Sequence, residues 1–160
     1  MKPKRGTWVI IVSLFCAVLL TIMPLPEWAA WARPVWVLMV LAYWVLALEQ
    51  RVSVGIAWLL GLLMDSLGGT IFGEHALALC IIIYIVAKLQ RQIRVAPLLQ
   101  QAFFMAILTF IYLLILFLAQ GLVQHIPATW MFWLPILSTA LLWPWLFIIL
   151  RDCRRRFRVT

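Results

Sequence analysis

Charged side chains are too scarce in this chain to solvate a globule: they make up 11% of its 160 residues, against 67% hydrophobic. Only five residues are Asp or Glu, and only two are His. That balance excludes an ordinary water-soluble domain and makes lipid the natural solvent. Three cysteines are too few for a disulfide framework, and Cys16 and Cys80 lie inside apolar stretches. With Cys153 they read as small hydrophobes. Ser13, Ser53 and Ser138 have no base near them in sequence, and no phosphate-cradling glycine loop is present, so catalysis is not expected. Nor is there a linker, low-complexity segment or clear repeat, which leaves one domain spanning residues 1–160.

What is abundant is arranged by side. Lys and Arg number 13, and twelve of them fall in one alternating set of gaps between hydrophobic stretches. Lys2, Lys4 and Arg5 precede the first stretch, and Arg51 separates the second from the third. Lys88, Arg91 and Arg94 divide the fourth from the fifth, while Arg151, Arg154, Arg155, Arg156 and Arg158 follow the sixth. Arg33 alone occupies the other set. The positive-inside rule then predicts an all-α integral membrane protein with six crossings and both termini cytoplasmic; five crossings would strand a basic cluster outside. A net charge of +8 does not imply nucleic-acid binding here, because the basic residues hug the ends of apolar segments.

The six stretches predict helices over about 7–23, 33–49, 51–72, 75–89, 96–123 and 130–150, followed by a basic cytoplasmic tail, 151–160. Ala30-Trp31-Ala32 has the form of a signal-peptide cleavage site, but the run from Thr7 to Met23 is long for a signal core and is read as a retained first helix. Pro34 suits a first helical turn, and Pro144 should kink the last helix where Trp143 and Trp145 meet the headgroups.

Ser53, Ala57, Gly61, Asp65, Gly69 and Gly73 recur at intervals of four, forming one stripe as far as the third helix persists. Small residues there suit close approach of a neighbouring helix or a partner. Asp65 is different, since a carboxylate within the bilayer is expensive unless paired, protonated or wet. Counting depth from the turn at Arg51 puts Arg33 about 27 Å up and Asp65 about 21 Å up, a gap an arginine side chain spans. A structural ion pair between Arg33 and Asp65 is therefore expected. Glu74 and His75 complete an outer cluster, which has too few convergent ligands to suggest a metal or cofactor; His125 stands alone in the last outer loop. Arg151, Arg154, Arg155, Arg156 and Arg158 should contact anionic lipid, each contributing about 1 kcal/mol near the surface.

The runs RPVWVLMVLAYWVLALEQRVSVG, GLLMDSLGGTIFG and LLWPWLFIILR resemble the MreD family of bacterial rod shape-determining proteins, a likeness extending over essentially the whole chain. It is carried by Arg33, Pro34, Trp36, Tyr43, Trp44, Arg51, Gly55, Gly61, Asp65, Gly69, Gly73, Trp143 and Pro144. The resemblance implies a non-enzymatic scaffold of the bacterial inner membrane within the machinery that builds side-wall peptidoglycan. Its implied partners are MreC directly, with MreB, RodZ, RodA and the elongation-type penicillin-binding protein as further members, and a homodimer is open. The family is also similar in fold to the six-helix S components of energy-coupling factor transporters. That similarity implies an alternative, a small-molecule or lipid-intermediate binder with an outer pocket at Arg33, Asp65, Glu74 and His75.

Single cysteines placed in a cysteine-free background at residues 24–34, 66–75 and 124–129 are expected to react with an impermeant thiol reagent in intact cells. Cysteines between Lys88 and Arg94 are expected to stay unlabelled, and labelling there would reverse the assignment of faces.

Overall fold

A computed structural model of the chain describes residues 6–48, 52–123 and 129–159, all helix and connecting turn. In chain order the helices are α1 (Thr7–Ile22), α2 (Glu27–Ala30), α3 (Trp36–Ala47), α4 (Val54–Gly68), α5 (Glu74–Val95), α6 (Leu98–Leu122) and α7 (Leu134–Arg156), the last preceded by a 3₁₀ turn, Trp130–Trp133. Among the described residues, three helical segments are long and apolar enough to cross a membrane: Glu74–Val95, Leu98–Leu122 and Trp130–Arg156. α1, α3 and α4 are shorter and equally apolar.

α3 is the centre. Every residue from Val37 to Leu46 is buried, so the helix is covered by protein all round. α1, α5 and α7 supply the cover. Its end groups are satisfied by the same neighbours. Thr139 on α7 accepts from Val35 N at 3.2 Å, while on α5 Gln90 donates to Val45 O at 2.9 Å and Arg94 to Ala47 O at 3.1 Å. These bonds supply the partners a helix end lacks within itself. In the last turn, Trp44 donates its indole N–H to Ser13 Oγ on α1 at 2.8 Å.

The bundle thus has two ends. At the basic end the start of α1 meets the end of α7, where Trp8 and Phe157 pack edge to face with centroids 5.0 Å apart. At the far end, Glu74 of α5 reaches Gln120 of α6. The outward surface is apolar: Ile11, Phe15, Leu59, Phe103, Leu141 and Trp145 all project from it. An apolar surface of that extent is what lipid contact requires.

Several expected boundaries move, each for a local reason. The second predicted helix starts at Trp36 instead of Arg33, because Arg33 precedes Pro34 and a residue in that position is held out of the helical region. A separate short helix, α2, lies ahead of it and was not anticipated; it carries Trp28, 84% exposed. The third does not run on to Phe72: it stops at Gly68, where Gly69 at φ 62° forms a left-handed C-cap. The fourth continues six residues past Leu89 to Val95, since Gln90, Arg91 and Gln92 are good helix formers and nothing stops them before Pro97. The basic tail is largely helix, because α7 passes through Pro144 and ends only at Arg156. Trp143 is fully buried in the core and gives its N–H to Gln101 at 3.3 Å, so only Trp145 of that pair faces outward.

α4 and α5 form the tightest pair. A Cβ at Gly61 would lie 2.2 Å from Ala76 Cα and 2.5 Å from its nitrogen, so the two backbones touch with no room for a side chain. Gly61→Ala is therefore expected to destabilise the protein by about 3 kcal/mol through overpacking. Gly55→Ala, whose added methyl meets only Ser53 Oγ at 3.5 Å, should be neutral or slightly stabilising. Thermal unfolding of the two variants in detergent, followed by circular dichroism, measures the contrast.

Candidate functional site

The small-residue stripe survives over its middle. Ala57, Gly61 and Asp65 are the buried residues of α4, and they face α5. Ser53 is exposed at the N-cap. Gly69 and Gly73 leave the stripe altogether: both have positive φ, 62° and 97°, and a Cβ on either would touch nothing within 4 Å. They are turn glycines, so the expected stripe of small residues does not extend past Asp65. The buried part of the stripe is also consumed within the chain, so Gly61 is not available as a partner surface.

The turn that these glycines make brings the start of α5 back over Asp65. One carboxylate oxygen accepts from Gly73 N at 2.8 Å. The other accepts from His75 N at 3.0 Å, lies 2.8 Å from His75 Nδ1 and receives the Thr70 hydroxyl at 3.3 Å. The Asp65 side chain is completely buried. Gly73, the N-cap of α5, makes no side-chain cap bond, so Asp65 caps α5 from the neighbouring helix. A carboxylate there satisfies orphan N–H groups and meets the positive end of the helix dipole.

Arg33 does not meet Asp65. Its Nη1 donates to the Thr21 carbonyl and its Nη2 to Met23 O at 2.7 Å, so the guanidinium closes the C-terminus of α1. The expected ion pair is replaced by two helix-end contacts of opposite sign. A cation at a C-terminus and an anion at an N-terminus are each favourable, and neither needs the other as counter-ion.

The outer cluster divides in the same way. Arg33 and His75 line one cavity of about 340 Å³, with Thr21 and Thr70. Glu74 lines a second, also of about 340 Å³, with Gly69 and Gln120. Asp65 lines neither. Glu74 is buried and its Oε1 accepts from Gln120 Nε2 at 2.7 Å, tying α5 to α6; its Oε2 has no partner among the described residues. His75 packs its ring against Tyr112, with centroids 6.2 Å apart. The single four-residue pocket is thus two cavities with Asp65 behind them. His125 lies outside the described residues, as do Lys2, Lys4, Arg5, Glu49 and Arg51. Gln120 and the Gly73 N–H were missed from sequence; the only signal was a second glycine placed just before an acidic helix start.

At the basic end, Arg151, Arg154 and Arg155 of α7 gather with Arg94 of α5 around a cavity of about 160 Å³. Arg156 and Arg158 lie outside it.

These features define an all-helical protein of membrane-capable helices, with its interior charges engaged at helix ends. The family model described as rod shape-determining protein MreD matches residues 2–153. The rod shape-determining protein MreD of Haemophilus influenzae is 35% identical over 153 residues, covering 95% of this chain and 94% of that protein. The chain belongs to the MreD family. No solved structure matches it.

Asp65→Ala is expected to cost about 3 kcal/mol, because it leaves buried N–H donors of α5 without an acceptor. The exchange variant Arg33→Asp, Asp65→Arg should be no more stable than the worse single substitution. Melting temperatures in detergent of the wild type, Asp65→Ala, Arg33→Asp, Asp65→Arg and the exchange variant test this, and recovery in the exchange variant would instead couple the two charges directly.

Proposed function

We propose that this protein is a non-enzymatic scaffold of the bacterial cell-elongation machinery, crossing the inner membrane six times with both termini cytoplasmic, and that it serves rod-shape determination. Membership of the MreD family supports the role in cell shape. The observation that carries the scaffold reading is the internal use of polar chemistry: Arg33 and Asp65 each hold a helix end, and Glu74 holds Gln120. What the molecule offers outward is an apolar helical surface and a basic end. Those are the surfaces of a binding protein, and the partner expected to use them first is MreC, with MreB, RodZ, RodA and the elongation-type penicillin-binding protein joined through or beside it. A homodimer on the same surface is compatible with this reading.

Six crossings require the shorter helices α1, α3 and α4 to span as well. α3, with 12 residues, is only about 18 Å long against a hydrocarbon core of about 30 Å. Its ends are shielded by other helices, and non-helical backbone is tolerated at membrane depth where protein buries it. The exposed Trp28 and Trp31 of the segment after α1 suit an interface.

A second reading has one observation in its favour. The cavity bearing Arg33 and His75 is large enough for a small ligand, and Arg33 Nε has no partner among the described residues. A capture subunit of the S-component kind would use it.

Depleting the protein from a rod-shaped bacterium should round the cells, and the wild-type copy should restore them. The full-length chain co-expressed with an MreC-type protein should co-purify with it in detergent. Absence of co-purification, together with saturable binding of a small ligand that Arg33→Ala abolishes without changing the melting temperature, would favour the capture reading.

A further inference from the structure

At the far end of the bundle one acid is only half used by the fold. Glu74 is 4% exposed, and its Oε1 accepts from Gln120 Nε2 at 2.7 Å. Its Oε2 is buried without a hydrogen-bond partner, and no Lys, Arg or His among the described residues forms an ion pair with it. A carboxylate taken out of water and held by one neutral bond is expensive, so the second oxygen calls for a donor. Glu74 stands in the first turn of α5, where the helix dipole favours negative charge, and the fitting donor is therefore a cation.

Space for it adjoins the carboxylate. Glu74 and Gln120 line a cavity of about 340 Å³ with Gly69, Thr70, Ile71 and Val123. A cavity of about 150 Å³ admits a benzene-sized molecule, so this one takes a small headgroup. Having given a donor to Glu74, the Gln120 amide keeps its oxygen as a second acceptor. Two acceptors, one on α5 and one on α6, match a primary ammonium, which carries three N–H donors on one compact charge. A quaternary ammonium carries no such donor. The rim decides what the amine is attached to. Ile71 and Val123 of the wall are neighboured in the chain by Phe72, 72% exposed, and Leu122, 87% exposed. Bare apolar side chains of that size suit acyl chains, so the amine arrives on a lipid.

We propose that this cavity binds the ethanolamine headgroup of a phospholipid, its ammonium donating to Glu74 Oε2 and Gln120 Oε1, and that the bound lipid ties α5 to α6. The site needs the chain to lie in a membrane. It needs neither a role in cell shape nor a ligand in the cavity of Arg33, so these proposals stand or fall separately.

The test uses the full-length protein in detergent, titrated with phosphatidylethanolamine, its N,N-dimethyl form or phosphatidylcholine and read by native mass spectrometry and melting temperature. Phosphatidylethanolamine should bind saturably and raise the melting temperature. The dimethyl form should bind more weakly, and phosphatidylcholine should neither bind nor stabilise. Glu74→Gln should weaken phosphatidylethanolamine binding by about tenfold, the loss of one charge-assisted hydrogen bond. Glu27→Gln, which removes an exposed acid of α2 outside the cavity, should leave binding unchanged. The methylation series is read on the unaltered protein, so it decides the matter if Glu74→Gln fails to fold. Equal binding of the three lipids, undiminished binding in Glu74→Gln, or an equal loss in Glu27→Gln would overturn the proposal. So would displacement of the lipid by millimolar ethanolamine with the same gain in melting temperature, which would assign the cavity to a free amine.

Discussion

α3 is enclosed by protein on every side, and the rest of the molecule is arranged around it. Ten consecutive residues, Val37 to Leu46, are buried. With 1.5 Å of rise per residue, that is a rod of about 15 Å whose entire circumference has neighbours. α1, α5 and α7 take those places, and in doing so bring together helices far apart in sequence. Burial alone would leave the backbone groups at each end of α3 without partners. The hydroxyl of Thr139 and the side chains of Gln90 and Arg94 resolve this from α7 and α5. The same contacts therefore set both the packing and the register of the helices around the centre.

The second organising rule concerns charge. In a medium with little water, a carboxylate and a guanidinium suggest each other as partners, and the depths of Arg33 and Asp65 agree with that. The fold offers a cheaper arrangement. Helix ends already carry partial charge, and a side chain of opposite sign placed there meets several oriented dipoles without giving up a full counter-ion. Asp65 at the head of α5 and Arg33 at the foot of α1 follow this pattern independently. His75 shows how local the result is: its backbone and its ring both serve Asp65, so the residue belongs to the cap more than to the cavity it borders.

Much of this was legible in the sequence, though unevenly. The order of the main helices follows from hydrophobic runs tens of residues long, and the close approach at Gly61 follows from spacing by four. Both signals are local, and local signals survive. His75, already grouped with Asp65 from sequence, does meet it, but the other main partners of Asp65 and those of Arg33 were not legible, because they are backbone groups, which no residue type announces. The division of the outer cluster has a related cause: Glu74 and His75 are adjacent in sequence but lie about 100° apart around α5. They border different cavities, and Glu74 binds Gln120 on α6. The gathering of Arg94 with Arg151 and Arg154 joins residues from two helices, and only the packing of those helices brings it about.

The start of α1 and the end of α7 lie against one another. Gly6, at φ 89°, has Val159 so close that an added Cβ would come within 2.7 Å of its methyl, and the rings of Trp8 and Phe157 pack beside them. A ribosome makes Trp8 long before Phe157. α1 thus waits for the final turn of α7 before its own entry is sealed.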